Sequence, residues 1–393
     1  MRTVAHGGNL PRTRRLYALG DGDLIDFSTS LNPFGPSTIV LAAARAALGE
    51  LYRYPDPGAP SLTARLAELH GVSADCVLVA AGATELISLV ARALREILEL
   101  YAQARGDPSL PVAHLCEPTY GEYRRASVLA SLKTQVWSRP LLSWTFDELP
   151  STDGVFWIAN PNNPTGHAWD RERLLKAITV NPGTLVVVDE AFLPFLPDES
   201  ERTLVTECVK YENVLVIRSL TKIYAMPGLR VGYAVGGREL VRRLRRHQDP
   251  WTVTAAAEAG ALAAISESTA SVVAYNAVAA PMLLDQLWEI PGLRPVWPSR
   301  IRPAHTPPLP NFVLVALTES TPWTSISLHE ALARRGLVVR ECSDFEGLEI
   351  GSMLKGPDEL VRTRGHIRIG IRSQSDNNVL VESLRDILST EYM

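Results

Sequence analysis

Lys222 stands in SLTKIYAMPGLRVGY, residues 219–233, between a strand-like run, NVLVIRSL, and a glycine-containing turn that leads to Arg230. An ammonium group is strongly hydrated, so a lysine beside Met226, Pro227 and Leu229 needs a reason. Desolvation lowers a lysine's pKa, and the neutral amine attacks carbonyl carbon. Taken alone, the position is met more simply by a solvated loop lysine. Its neighbours shift that balance. Ser219 and Thr221 supply hydroxyls, and Arg230 supplies a fork that matches phosphate.

Three further groups lie at comparable places. Gly82, Ala83 and Thr84 sit where a strand gives way to a helix, and helix N-termini attract anions; an ordinary strand–helix turn reads the same way. Asp189 ends LVVVDEAF, where a carboxylate suits a helix cap, a structural acceptor or the proton on a ring nitrogen. Asn163, in NPNNPTG, offers an amide at the same sheet edge, although a tight turn uses the same prolines and glycine. One small molecule takes all of these groups. It needs an aldehyde for Lys222, a phosphate for the anion site, a ring nitrogen for Asp189 and a phenolic oxygen for Asn163. That molecule is pyridoxal 5′-phosphate, whose ring accepts electrons while its nitrogen stays protonated.

The elements that must position these residues alternate. DCVLVAAG, PVAHLCEP, GVFWIANP, TLVVVDEAF and NVLVIRSL read as strands, with helices such as ATELISLVARALREILELYAQA and RERLLKAITV between them. Continuously apolar strands are covered on both faces, and strand–helix alternation makes a mainly parallel α/β sheet. Ligands then bind beyond the carboxyl ends of the strands, where the polar residues above stand. Residues 1–36 read as an extended arm and 37–254 as the large domain. From about Ala255 the order changes: one long helical stretch to Ile290, then NFVLVAL, SLHEALARRG, GLVVREC and HIRIGIR. Residues 255–393 therefore read as a smaller α+β domain.

Composition narrows the class. The chain has 393 residues, 46% of them hydrophobic, and a formal net charge of −4. That charge gives no general attraction to nucleic acid or anionic membrane. The basic run VRRLRRH reads as a solvated helix face. No apolar run has the length of a membrane span, and the start lacks the apolar centre of a secretion signal. Cys76, Cys116, Cys208 and Cys342 are dispersed, as are the histidines, which argues for reduced thiols in a cytoplasmic protein and against a metal site.

YRYPDP, GATE, PTYGEY, NPNNPTG, DEAF and the Lys222 segment, in that order, resemble the class I/II aminotransferase superfamily of fold type I. The resemblance implies that Lys222 attaches the cofactor, Asp189 pairs with its ring nitrogen and Asn163 with its phenolic oxygen. It implies that Tyr120 stacks on the ring and that Gly82, Ala83, Thr84, Ser219, Thr221 and Arg230 surround the phosphate. Tyr54 would reach the phosphate of a neighbouring subunit, which implies a homodimer. Arg368, in HIRIGIR, would bind the substrate carboxylate.

Within the superfamily the chain resembles threonine-phosphate decarboxylases through HGGN, DFSTSLNPFG, Thr221–Lys222, Phe192 and RECSDFEGL. That implies His6, Asn32 and Arg340 near the substrate, with Arg340 facing an anionic group. Histidinol-phosphate aminotransferases share YPDP and NPNNPTG, so amino transfer is the alternative, followed by β- or γ-carbon chemistry in specialised metabolism. A non-catalytic regulator of this ancestry needs a DNA-binding extension, and the arm is too short for one. Ser30 replaces the asparagine usual in the decarboxylases, and the segments at 96–111 and 299–310 are longer than usual.

Overall fold

The computed structural model describes residues 6–20, 22, 24–105, 111–137, 154–180, 184–296, 308–355 and 360–389, without the side chains of 95–105, 354, 355 and 360. A seven-stranded sheet runs Val77–Ala80, Gly232–Gly236, Val214–Ser219, Thr184–Asp189, Gly154–Ala159, Val112–Leu115, Lys133–Val136. Only Gly232–Gly236 runs against the others. Five of these strands are buried at every position, as their unbroken apolar runs require. Trp157, Val187 and Ile217 pack on one face and Phe156, Val188 and Val216 on the other. The fold is that of a mainly parallel α/β sheet with a smaller antiparallel sheet beside it.

The smaller sheet runs Arg340–Glu341, Leu360–Gly370, Phe312–Thr318, Leu293–Pro295, all antiparallel, with Met353–Lys355 also paired to Leu360–Gly370. Its register sets Arg340 opposite Arg368. The N-terminal segment joins this side: Ile25–Asp26 lies parallel to Leu337–Val338, and Gly370 N–H donates to the Phe27 carbonyl at 2.8 Å. A Cβ on Gly370 would meet the Thr29 carbonyl at 2.3 Å, so the approach needs glycine there.

Local chemistry explains where the structure departs from the sequence reading. The arm is not wholly extended: Leu10–Tyr17 is a helix, because the Asn9 side chain accepts from Arg12 N–H at 3.2 Å and Pro11 suits the first turn. The stretch after Ala255 is two helices, Ala255–Ala264 and Ala270–Trp288, divided at the polar residues 266–269. The first shares a core with Val40, Leu62 and Val231 of the large-sheet side. GLVVREC is two short strands, because Leu337–Val338 and Arg340–Glu341 pair with different partners. The long segment at 96–111 continues the helix Ala83–Arg105 in part, while 106–110 and 297–307 lie outside the described residues. Among the described residues no helix is long and apolar enough to cross a membrane, and no three His, Cys, Asp or Glu side chains cluster to hold a metal ion.

Candidate active site

The carboxyl ends of the parallel strands open into a cavity of about 830 Å³, closed on the other side by residues of the N-terminal segment and the small sheet. Asp189 is the last residue of its strand and Ser219 the last of the next. The ladder continues past both ends: Asn160 N–H donates to the Asp189 carbonyl and Glu190 N–H to the Ile217 carbonyl, each at 2.8 Å. These bonds fix the strand ends from which the functional side chains project.

Lys222 lies on the short helix Leu220–Ile223 that follows directly. Ser219 caps it and shares a 2.7 Å hydrogen bond with Thr221 Oγ1. Burial pushes the Lys222 pKa down to about 8, helped by the charges of Arg368 and Arg230 and opposed by Asp189. The nearest aromatic face is that of Phe192, with Nζ 5.9 Å from the ring centroid. Asp189 moves the other way. Burial raises its pKa, while the Tyr123 hydroxyl, the Ala191 N–H and the Lys222 charge hold it down. Tyr123 Oη donates to Asp189 Oδ2 at 2.8 Å, and Ala191 N–H to Oδ1 at 3.0 Å. Tyr123 itself is clamped flat against Trp157, with centroids 5.4 Å apart.

Gly82 turns the chain into the helix Ala83–Arg105 with φ +90°, and Ala83 and Thr84 face the cavity. A Cβ at Gly82 would lie 2.6 Å from Arg230 Nη2, so the glycine leaves room for the guanidinium beside the helix N-terminus. The Tyr120 hydroxyl bonds Thr84, and burial raises the Tyr120 pKa. Asn163 is buried at the end of the turn after Gly154–Ala159, and its Oδ1 accepts from Arg368 Nη1. Arg368 Nη2 donates to the Ser28 carbonyl at 2.9 Å. Burial brings the Arg368 pKa down to about 10.

These groups fit pyridoxal 5′-phosphate. An amine of lowered pKa, a buried carboxylate held by a phenol, and an anion cradle of helix N-terminus, hydroxyls and guanidinium all face one cavity. Lys222, Asp189, Asn163, Tyr120, Ala83, Thr84, Ser219, Thr221, Arg230 and Arg368 are brought together in its wall. His6 and Arg340 also face it. His6 Nε2 lies 2.9 Å from Glu122 Oε1, and Arg340 meets both oxygens of Asp344. Asn32 is placed differently. Its N–H donates to the Lys222 carbonyl at 3.0 Å, but its side chain accepts from Phe34 N–H, and Ser28, Thr29 and Ser30 line the cavity instead. Tyr54 is 81% exposed and stacks near Trp251, away from the cavity wall.

Several lining residues escaped the sequence reading. Glu117 lies two residues past the strand Val112–Leu115, close to the strand end as Asp189 is, and inspecting the polar residues at strand ends would have selected it. Tyr123 lies three residues after Tyr120 on the helix Gly121–Leu129, a spacing that stacks side chains on one face. Arg124 and Glu346 gave no signal, because their pairing joins residues far apart in the chain, whereas Asp344 pairs only four residues away with Arg340, inside RECSDFEGL.

The sequence matches the model of the aminotransferase class I and II family over residues 22–283. It is 31% identical over 382 residues to histidinol-phosphate aminotransferase of Symbiobacterium thermophilum, covering 94% of this chain and 92% of that one. It is 29% identical over 398 residues to threonine-phosphate decarboxylase of Salmonella typhimurium, covering 98% and 97%. The structure resembles histidinol-phosphate aminotransferase of Sinorhizobium meliloti in complex with pyridoxal 5′-phosphate, with TM-score 0.73 and 20% identity over 98% of this chain and 95% of that one. With an ordered set of motifs, a matching fold and a family match across most of its length, the chain belongs to the class I and II aminotransferases.

Proposed function

We propose that this pyridoxal-phosphate enzyme decarboxylates L-threonine O-3-phosphate to 1-aminopropan-2-ol phosphate. The observation that carries the reading is the pair Arg340 and Arg368. They stand opposite each other on neighbouring strands and face the same cavity. Two guanidinium groups suit a substrate with two anions, a carboxylate and a phosphate.

Lys222 would hold the cofactor's aldehyde, Asp189 its ring nitrogen, Asn163 its phenolic oxygen and Tyr120 its ring face. Gly82, Ala83, Thr84, Ser219, Thr221 and Arg230 would surround its phosphate. Pyridoxal phosphate supplies the electron sink for the bond that breaks at the substrate Cα. Asp189, oriented by Tyr123 and Ala191, would face the cofactor's ring nitrogen from the cavity floor. Lys222, with a pKa near 8, is suited to return a proton to Cα at neutral pH. Arg368 orients the α-carboxylate and Arg340 receives the distal phosphate. His6 lies at the cavity mouth, and Asn32 supports Lys222 through the backbone. Tyr54 points outward to serve the site of a second subunit, so the working unit in this reading is a cytoplasmic homodimer; a monomer by sedimentation at assay concentration would contradict it.

The reaction is tested with threonine phosphate alone. The expected result is carbon dioxide release without a keto acid. If turnover needs 2-oxoglutarate and no carbon dioxide appears, the chain transfers the amino group. That second reading, on histidinol phosphate or a similar amino acid, draws support from the 31% identical relative.

A further inference from the structure

Two arginines of the outer cavity, Arg124 and Arg340, are both engaged by carboxylates of one short turn. Arg340 Nη2 lies 2.8 Å from each oxygen of Asp344, and Nη1 donates to the Glu341 carbonyl. Arg124 Nη2 donates to Glu346, two residues further on, and to Glu117 at 3.2 Å. The turn is pinned from below. Phe345 lies under the Arg340 guanidinium at 5.0 Å, and Cys342, Phe345 and Leu348 are buried in one apolar cluster.

The members of these pairs differ in freedom. The Arg340 side chain is 9% exposed, while that of Asp344 is 20% and that of Glu346 45% exposed. The acids can rotate toward water; the Arg340 guanidinium cannot. A buried guanidinium without a counter-charge is costly, and Asp344 removes that cost in the substrate-free chain. An incoming phosphate can present a pair of oxygens to the same Nη2. It can bind Arg340 only as Asp344 leaves, since two anions cannot share one position.

We infer that Asp344 is a placeholder for the substrate's distal anion and thereby a specificity-determining residue. It holds Arg340 in the free enzyme and yields to the phosphate of a phosphorylated amino acid. An amino acid without a distal anion leaves the pair closed. This rests on the reading that Arg340 receives that phosphate.

The test uses the cofactor-loaded enzyme and inorganic phosphate as the probe, measured by calorimetry and by competition with substrate. Asp344→Asn is expected to bind phosphate about five- to tenfold more tightly, the scale of a lost charge-assisted pair. KM for threonine phosphate should fall by a similar factor with kcat within about twofold. If Arg340→Ala weakens phosphate binding but Asp344→Asn leaves it unchanged or weaker, the placeholder is refuted and the role of Arg340 stands. If Arg340→Ala binds phosphate as the wild type does, the underlying reading fails too. Should Asp344→Asn not fold, Asp344→Ser replaces it.

Discussion

The floor and the outer wall of the cavity use charge in opposite ways. On the floor, burial dominates: Lys222 is pushed down and Asp189 up, and neutral donors such as Tyr123 and the Ala191 N–H adjust the balance. On the wall, full charges are met by full charges, as in Arg340–Asp344 and Arg124–Glu346. Desolvated single groups have shifted reactivity and suit bond-making. Paired charges can exchange one partner for another of the same sign, which suits recognition. On the proposed function, the cavity thus separates groups suited to changing a substrate from groups suited to choosing it.

The sharpest way to break this comparison is Lys222→Ala. If the floor alone carries the chemistry, activity falls about 10³-fold or more, and the absorption band of the lysine-bound cofactor disappears. Retention of even a tenth of the activity would move the chemistry elsewhere. Next comes Tyr123→Phe, which removes a hydrogen bond to a buried carboxylate. Such bonds contribute about 1.5–3 kcal/mol, so kcat should fall roughly ten- to hundredfold while KM stays near the wild-type value. An effect on KM alone would assign Tyr123 to recognition.

The same division governs what was legible in the sequence. Asp189, Ser219, Thr221 and Lys222 are placed by the strands that precede them, and a strand end is a local signal. Burial of those strands, written as unbroken apolar runs, also forces the parallel sheet. Arg340 and Arg368 came from resemblance, and their shared register depends on pairing between two strands that the sequence does not specify. The wall was not legible. Arg124 and Glu346 are 222 residues apart, and nothing local marks either as a partner. Asn32, expected near the substrate, has its side-chain oxygen accepting from Phe34 N–H, a local turn contact that its sequence motif does not display.

A smaller effect tests the wall directly. Arg124 is partly exposed, whereas the Glu117 side chain it faces is 5% exposed and also accepts from Thr119 N–H at 2.9 Å. Arg124→Ala should cost about 1 kcal/mol in denaturant unfolding, because a half-solvated pair contributes little. Glu117 keeps its backbone donor, so the cofactor absorption band should not move. A shift of that band would show wall and floor to be coupled.

The subtlest consequence concerns protons. The folded pKa of Lys222 lies near 8, below the ordinary lysine value of 10.5. Below pH 8 folded and unfolded chains both hold the proton. Between about 8 and 10 the unfolded chain still holds the proton that the folded one has shed, so Lys222 adds stability as pH rises through this window. Other groups titrate there as well, so the cleaner measurement is chemical. In the cofactor-free protein, a small amine-directed reagent should modify Lys222 with a midpoint near pH 8, while solvated lysines follow a midpoint of about 10.4. A shared midpoint would mean that the floor does not desolvate its lysine. The contrast with the wall would then rest on geometry alone.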